Sequence, residues 1–412
     1  MPQELYKERE CRVLDALMLK KPDRVPAIVL FGSFAARHAG ISGKDELYDL
    51  EKSYEANLKA TIDFEPEMAS APLTFGSILE ALDYRQMKWP GYSLPDDYGY
   101  QYVEGEYMKA EEYEAFLYEH SDYVMRSHWP RTLGKMAVFN QLPPIRTLIS
   151  YFFGLTSGFI PLATPQGMEA LAAMRKAGEE SAKALGALQK FVGRLAEAGF
   201  PMLFASGTQA PFDTLGDYFR GTKGILLDMY QRPEKLIAAC EKLLPIMLET
   251  AVPAAKASGN PRVFIPLHKG SDNFMSLEQF KTFYWPTLRE LLVALVAEGL
   301  NPVVLVEGPY NSRLDTIRDV PEGKILYWFE NVNMVKAKTI LGAKACIMGG
   351  VPMSLLATGT VAQVKERCRR LLQSVGRDGG YIMSAAAVLD DAKPENVRAL
   401  IDSTREFGVG PT

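Results

Sequence analysis

Three ionisable residues stand where apolar runs stop. Val263-Phe264-Ile265-Pro266-Leu267 leads into His268, Asn301-Pro302-Val303-Val304-Leu305-Val306 into Glu307, and Ile325-Leu326-Tyr327-Trp328-Phe329 into Glu330. Short apolar runs rich in β-branched and aromatic residues read as buried strands. In parallel α/β folds the loops converge at the C-terminal ends of the strands, and chemistry collects there. An imidazole and two carboxylates on one rim are materials for general acid–base catalysis, since adjacent acids share a proton and a histidine moves it. His268, Glu307 and Glu330 would also make a zinc set of one nitrogen and two carboxylates with a fourth position open. No HExxH or CxxC spacing accompanies them.

Neighbouring residues widen the site. Tyr310 and Arg313 share the loop after Glu307 and would orient it or touch a substrate; the plainer role for Arg313 is to pair with Glu307 and brace the loop. Asp213 follows Pro211-Phe212 behind the third strand, where it meets substrate or caps the next helix. Glu330 has a structural alternative as an acid near a helix N-terminus. His268 has one as a rim histidine bonded to a backbone carbonyl. His38 is expected on a helix face, and His120 and His128 lie in a long insertion. Tyr84, Trp89, Tyr92, Tyr100, Tyr102 and Tyr107 crowd that insertion. Most are packing residues, and some suit an apolar pocket for an aromatic ring. Trp89 there, and Phe31 at the end of the first strand, are the aromatic candidates for substrate contact.

The elements that must position these groups follow a rhythm. Strand-like runs occupy 25–31, 66–73, 201–206, 262–267, 302–306, 324–329, 345–348 and 381–384. Helical patterns separate most of them. Ser276-Leu277-Glu278-Gln279 and Thr360-Val361-Ala362-Gln363 are capping boxes that open helices over 276–299 and 361–375. Further helices are expected over 231–258 and 394–407. Alternating strand and helix implies parallel strands with right-handed crossovers, and eight units suggest one α/β domain over 1–412, a closed (β/α)8 TIM barrel. Residues 74–200 are too long for one crossover. They are expected to be an insertion after the second strand that caps the C-terminal mouth, with an Ala-rich helix near 168–198.

Composition bounds the partners. The chain has 412 residues, 47% hydrophobic and 23% charged, with net charge −4 and both signs interspersed. A nucleic-acid binder would want a basic stripe, which is missing. The N-terminal MPQELYKERE has no apolar signal core, and Tyr151 to Ala163 is too short and broken to span a bilayer. Cys11, Cys240, Cys346 and Cys368 are scattered, as in a reduced cytoplasmic protein.

Several stretches are similar to the uroporphyrinogen decarboxylase superfamily, which also holds corrinoid-dependent methyltransferases. They are Pro22-Asp23-Arg24-Val25-Pro26, Phe31-Gly32-Ser33-Phe34, Pro211-Phe212-Asp213, Phe219-Arg220-Gly221, Asp228 with Arg232-Pro233-Glu234, Met275-Ser276, Trp285-Pro286, Gly349-Gly350-Val351-Pro352, Gly359-Thr360, Pro394-Glu395-Asn396 and Phe407-Gly408. Their order spans nearly the whole chain, and the resemblance implies a (β/α)8 barrel.

Departures choose the branch. The decarboxylases carry an RQAGRY-type motif whose arginines bind substrate carboxylates. Here Leu30-Phe31-Gly32-Ser33-Phe34-Ala35-Ala36-Arg37-His38 offers only Arg37. The coenzyme M methyltransferase branch carries His-x-Cys-Gly and a further Cys as zinc ligands, and this chain has Leu305, Glu307 and Ala387 at those places. What remains resembles the substrate-side methyltransferases of corrinoid O-demethylase systems. That implies transfer of a methyl group from a methoxylated, aromatic substrate to a cob(I)alamin carrier. The alternatives are a decarboxylase, with Arg37, Arg220 or Arg313 holding the carboxylate, and a non-catalytic ligand-binding barrel. None of the four histidines sits in the Asp-x-His-x-x-Gly motif of cobalamin-carrying domains, so the corrinoid is expected on a separate partner protein. Zinc, if used, would lack its usual cysteines.

Overall fold

The computed structural model describes residues 2–72 and 75–408. Two short strands of the insertion, β1 (Met87–Lys88) and β2 (Gln101–Tyr102), pair antiparallel. Six parallel strands then lie side by side in chain order: β3 (Ser206–Gly207), β4 (Arg262–Leu267), β5 (Asn301–Pro309), β6 (Leu326–Asn331), β7 (Cys346–Val351) and β8 (Tyr381–Ala385). Short bridges close the ring. Ala27 pairs with Met383 of β8, the Glu67 N–H donates to the Ala27 carbonyl, and Ala69 pairs with Met202 in the lead-in to β3. The segments 25–31 and 67–69 thus complete an eight-membered parallel barrel. They form bridges and not full ladders because Pro22, Pro26, Pro66 and Pro72 withhold N–H donors. Of the strand expected over 66–73, Leu73 lies outside the described residues.

Side chains alternate across the ring as a period of two requires. Ile28, Leu30, Leu203, Val303, Leu305, Trp328, Met348 and Ile382 form one buried cluster that fills the barrel's interior. Val304, Val306, Tyr327, Phe329, Ile347 and Met383 belong to the larger cluster shared with the helices. Both faces of the strands are therefore dry, which is why these runs read as continuously apolar. Trp328 is fully buried, and its indole N–H donates to the Ala385 carbonyl at 2.9 Å, so its one polar atom is satisfied. At the N-terminal ends of the strands, Arg12 on the first helix (Pro2–Leu17) pairs with Glu67 and Asp23, each at 2.7 Å, and Arg262 pairs with Glu10 at 2.5 Å.

The expected helices form. Ser276 and Thr360 each make the reciprocal bonds of a capping box, at the heads of Leu277–Gln279 and Val361–Ser374. Helices Pro233–Ser258 and Pro394–Phe407 follow the two others. The inserted chain divides its contacts. Its first part packs on the segment after β3: the Tyr107 and Met108 N–H groups donate to the Phe219 carbonyl, and the Tyr102 hydroxyl to that of Asp217. Its long helix, Pro165–Glu197, runs outside the barrel, where Phe191 stacks on Tyr54 with ring centroids 4.9 Å apart. Among the described residues no helix is long and apolar enough to cross a membrane.

Candidate functional site

His268 is the first residue past β4. Parallel registers align Leu267 with Val306 and Val306 with Phe329, so His268, Glu307 and Glu330 come level on three adjacent strands. Two of these strands run further than the sequence indicates. β5 extends to Pro309 and β6 to Asn331, because the chain stays extended through Glu307-Gly308 while the pairing slips between Val306 and Pro309. Gly308 adopts φ +76°, a left-handed conformation that glycine tolerates best. Its N–H donates to a carboxylate oxygen of Glu330 at 2.5 Å. The bulge thereby aims Glu307 across the rim, with Oε1 4.0 Å from His268 Nε2.

The helix after β3 supplies what fixes His268. Pro211–Thr214 continues as a wider π-helical turn over Leu215–Arg220, which presents Asp213 and Asp217 toward the end of β4. Asp213 is fully buried and grips the backbone, accepting the N–H groups of His268 and Lys269 at 2.9 Å each. It also accepts the Tyr284 hydroxyl at 2.5 Å. Asp217 grips the side chains, binding His268 Nδ1 at 2.6 Å and the Lys269 ammonium at 2.5 Å. With Nδ1 held by a carboxylate, Nε2 is the ring atom turned toward Glu307.

This arrangement sets the protonation states. Burial disfavours the charged imidazole, but the Asp217 hydrogen bond and the charges of Asp213, Asp217 and Glu307 outweigh it and push His268 up to about 9. Asp217 is also desolvated, yet His268 and Lys269 hold it below the ordinary carboxylate range. Glu307 moves the other way. Burial raises it, the His268 charge offsets part of this, and Glu330, Asp213 and Asp217 raise it further. At neutral pH the rim thus carries an imidazolium beside a carboxyl group that gives up its proton reluctantly. The insertion reaches this rim: Tyr100 is held above its ordinary value first by burial, then by the charges of Asp390, Glu307 and Glu46.

Other sequence candidates take framework positions. Tyr310 is fully buried against Phe280, beside Tyr284. Arg313 does not pair with Glu307. It is buried and braces the loop after β4, donating to the carbonyls of Gly270, Ser271 and Met275 and pairing with Asp272 at 2.7 Å. Phe31 is buried among Phe34 and Phe64, and Trp89 packs near Tyr48 and Tyr100. His38 bonds Asp63 at 2.7 Å, His128 meets the Tyr218 carbonyl at 2.8 Å, and His120 lies against Phe116. The arginines considered for carboxylate binding are engaged elsewhere. Arg37 pairs with Asp391 at 3.3 Å, and Arg220 is buried against Asp228 and Glu106.

The donors do not fit a metal. Among the described residues no group of three or more His, Cys, Asp and Glu is gathered as ligands. Glu330 is committed to the Gly308 N–H.

Sequence reading missed Asp217 and Lys269. A signal existed in Asp213-x-x-x-Asp217, a helical spacing that puts two acids on one face. Nothing local tied that face to His268, 51 positions on.

A parallel barrel with an acid–base cluster at the C-terminal ends of its strands defines a (β/α)8-barrel protein of the enzyme type. Comparison gives the family. Residues 158–407 match the model of the family described as uroporphyrinogen decarboxylase (URO-D), and the chain belongs to that family. A uroporphyrinogen decarboxylase of Chlorobium luteolum is 23% identical over 184 residues, 43% of this chain and 51% of that one. One from Chlorobium phaeovibrioides is 25% identical over 138 residues, 32% of this chain and 38% of that one. The chain thus spans about half the length, or less, of these curated relatives. A solved methyltransferase from Methanosarcina mazei superposes with TM-score 0.64 at 16% identity, covering 97% of this chain and 98% of that one. This likeness establishes the shared fold.

Proposed function

We propose that the chain is the methyltransferase component of a corrinoid-dependent demethylation system, moving a methyl group from a methoxylated aromatic substrate to a reduced corrinoid on a partner protein. The observation that carries the reading is the His268 ring, fixed by Asp217 at Nδ1 with Nε2 facing Glu307. An aryl methyl ether is hard to cleave because its leaving group is a phenolate, which needs a proton as the bond breaks. The carrier's corrinoid supplies the nucleophile that takes the methyl group. His268 Nε2 gives its proton to the departing oxygen, so the methyl–oxygen bond is exchanged for an oxygen–hydrogen bond. Glu307, within 4.0 Å, returns a proton to Nε2 for the next cycle. Asp213 and Asp217 position the donor, and the aromatic first part of the insertion shields the mouth. The whole of 74–200 need not act as a cap, since Pro165–Glu197 lies outside the barrel. Free cysteines suit a cytoplasmic setting.

Decarboxylation is the second reading, favoured by the two curated relatives. It requires a cation free to hold the substrate carboxylate. Arg37, Arg220 and Arg313 are all paired, and Lys269 is held by Asp217, which supports methyl transfer over it. The test offers a panel of methoxybenzoates with cob(I)alamin, free and protein-bound, and follows the corrinoid absorbance. Methylated cobalamin and free phenol are expected. Carbon dioxide release from uroporphyrinogen, with no turnover of any methoxyarene, would overturn the proposal.

A further inference from the structure

The π-helical turn that carries Asp217 is not closed by its own backbone at its far end. Such a turn is bonded by N–H groups five residues on, and Leu215–Arg220 stops at Gly221, whose φ of +67° turns the chain out of the helix. The N–H that would reach the Asp217 carbonyl is that of Thr222, and it donates to the Glu104 carboxylate instead. The last carbonyls of a helix then need other partners. Three in succession find them in the insertion. The Asp217 carbonyl accepts the Tyr102 hydroxyl and, at 3.5 Å, Gln86 Nε2. The Tyr218 carbonyl, which can only accept, takes the hydrogen of His128 Nε2 at 2.8 Å. The Phe219 carbonyl accepts the Tyr107 and Met108 N–H groups at 2.8 and 2.7 Å.

These donors are themselves built into place. Gln86 is fully buried, accepts the Tyr84 hydroxyl at 3.0 Å and lies 3.4 Å from that of Tyr102. His128 is 9% exposed and packs on Phe219 with ring centroids 4.4 Å apart. The insertion's backbone comes so close that a Cβ on Gly221 would stand 2.8 Å from the Gly105 carbonyl. We infer that Tyr102, Gln86 and His128 are positioning residues, which fix the backbone of the π-helical turn and so hold the Asp217 carboxylate on His268 Nδ1, an assignment that rests on His268 being the acid of the proposed transfer. The Asp217 carboxylate must meet Nδ1 at 2.6 Å and the Lys269 ammonium at 2.5 Å together. Hydrogen bonds weaken steeply as their geometry departs from the ideal, so a turn free to shift would release the ring. The insertion exerts this hold without charge. Burial holds Tyr102 above its ordinary value and His128 below its own, so both are neutral at neutral pH. Replacing them leaves the charges around His268 as they are and alters only where Asp217 stands. The insertion thus assembles the proton donor as well as shielding the mouth.

Proton NMR of the histidine rings in the full chain tests this, with the His268 signal identified by its loss in His268→Gln. The double variant Tyr102→Phe with His128→Phe should lower the His268 pKa from about 9 by about one unit, with unchanged circular dichroism. The fall is partial because Asp213 and Glu307 still face the ring and Lys269 still faces Asp217. Tyr102→Phe alone should move it in the same direction, and serves if the double variant folds poorly. His128→Gln keeps an N–H donor at the reach of Nε2 and should titrate like wild type. On the basic limb of the rate profile the double variant should lose about tenfold in kcat, with KM unchanged. A His268 pKa that stays put in both Phe variants, whether or not the thermal midpoint falls, would overturn the inference. So would an equal fall in His128→Gln. The expected shift in a protein that demethylates no donor would uphold the positioning and count against the proposed reaction alone.

Discussion

Replacing Asp217 with Asn tests whether the charge on His268 is what the site is built to provide. The substitution keeps shape and removes the charge. In the folded protein His268 rises from an ordinary 6.5 to about 9, a preference for imidazolium of about 3 kcal/mol. Because the ring is 31% exposed, solvent screening trims that figure. Asp217 supplies the hydrogen bond to Nδ1 and one of the nearby charges. An opposite charge at this range moves a pKa by about one to three units, so its loss should bring His268 down by about that much. The basic limb of the pH–rate profile should shift by the same amount, from near 9 toward neutrality. At about pH 6, where even an ordinary histidine is mostly charged, the variant should recover much of its rate. Proton NMR of the His268 ring gives the pKa directly, and methyl transfer across pH gives the limb. An unmoved limb, or an equal loss of rate at every pH, would refute the assignment of His268 as an acid tuned by Asp217.

Stability should carry the same signature. A pKa raised by folding stabilises the native state below the unfolded value of about 6.5. That contribution fades as pH rises through about 9. Relative to His268→Gln, wild type should lose its advantage in urea denaturation across this window, and a constant difference would contradict it. Glu307→Gln should cut methyl transfer by about a hundredfold or more with an unchanged thermal midpoint, and wild-type turnover would sink its role. Arg313→Ala should destabilise by about 1–3 kcal/mol in denaturant titrations, because it removes this donor from the buried Gly270 and Met275 carbonyls, while Asp272 keeps Ser312 and the Ser271 carbonyl keeps the Phe274 N–H. The folded fraction should keep its KM, and a raised KM with full stability would move Arg313 to the substrate.

The barrel was legible because burial on both faces writes strands as unbroken apolar runs, and because capping boxes such as Ser276 to Gln279 mark helix starts chemically. Strand order on the rim followed from chain order, so His268, Glu307 and Glu330 were found together. Where Glu307 points was not legible, since a bulge depends on pairing with β6 and on the Gly308–Glu330 bond. Proline-broken strands near Ala27 and Ala69 kept their apolar pattern but lost their ladders. Asp217 stayed hidden because its partner is far along the chain. Tyr310 and Arg313 share the sequence neighbourhood of Glu307 but turn inward, and no periodicity distinguishes a residue that braces a loop from one that faces solvent.

The interior of the ring has a consequence for traffic. Trp328, Leu305, Met348 and their neighbours plug it beneath the rim, and the Arg12–Glu67 and Arg262–Glu10 pairs hold the first helix at the opposite end. The described residues thus close the ring's interior and leave the C-terminal rim as the doorway to His268 and Glu307. If the proposed methyl transfer holds, a small methyl donor would have to be seated before a macromolecular acceptor blocks that doorway, and the demethylated product would have to wait for the acceptor to go. Two-substrate kinetics on this protein should accordingly be ordered, donor first. Excess carrier should slow turnover by sealing vacant sites, and a donor tethered to a bulky group should be refused however reactive its ether.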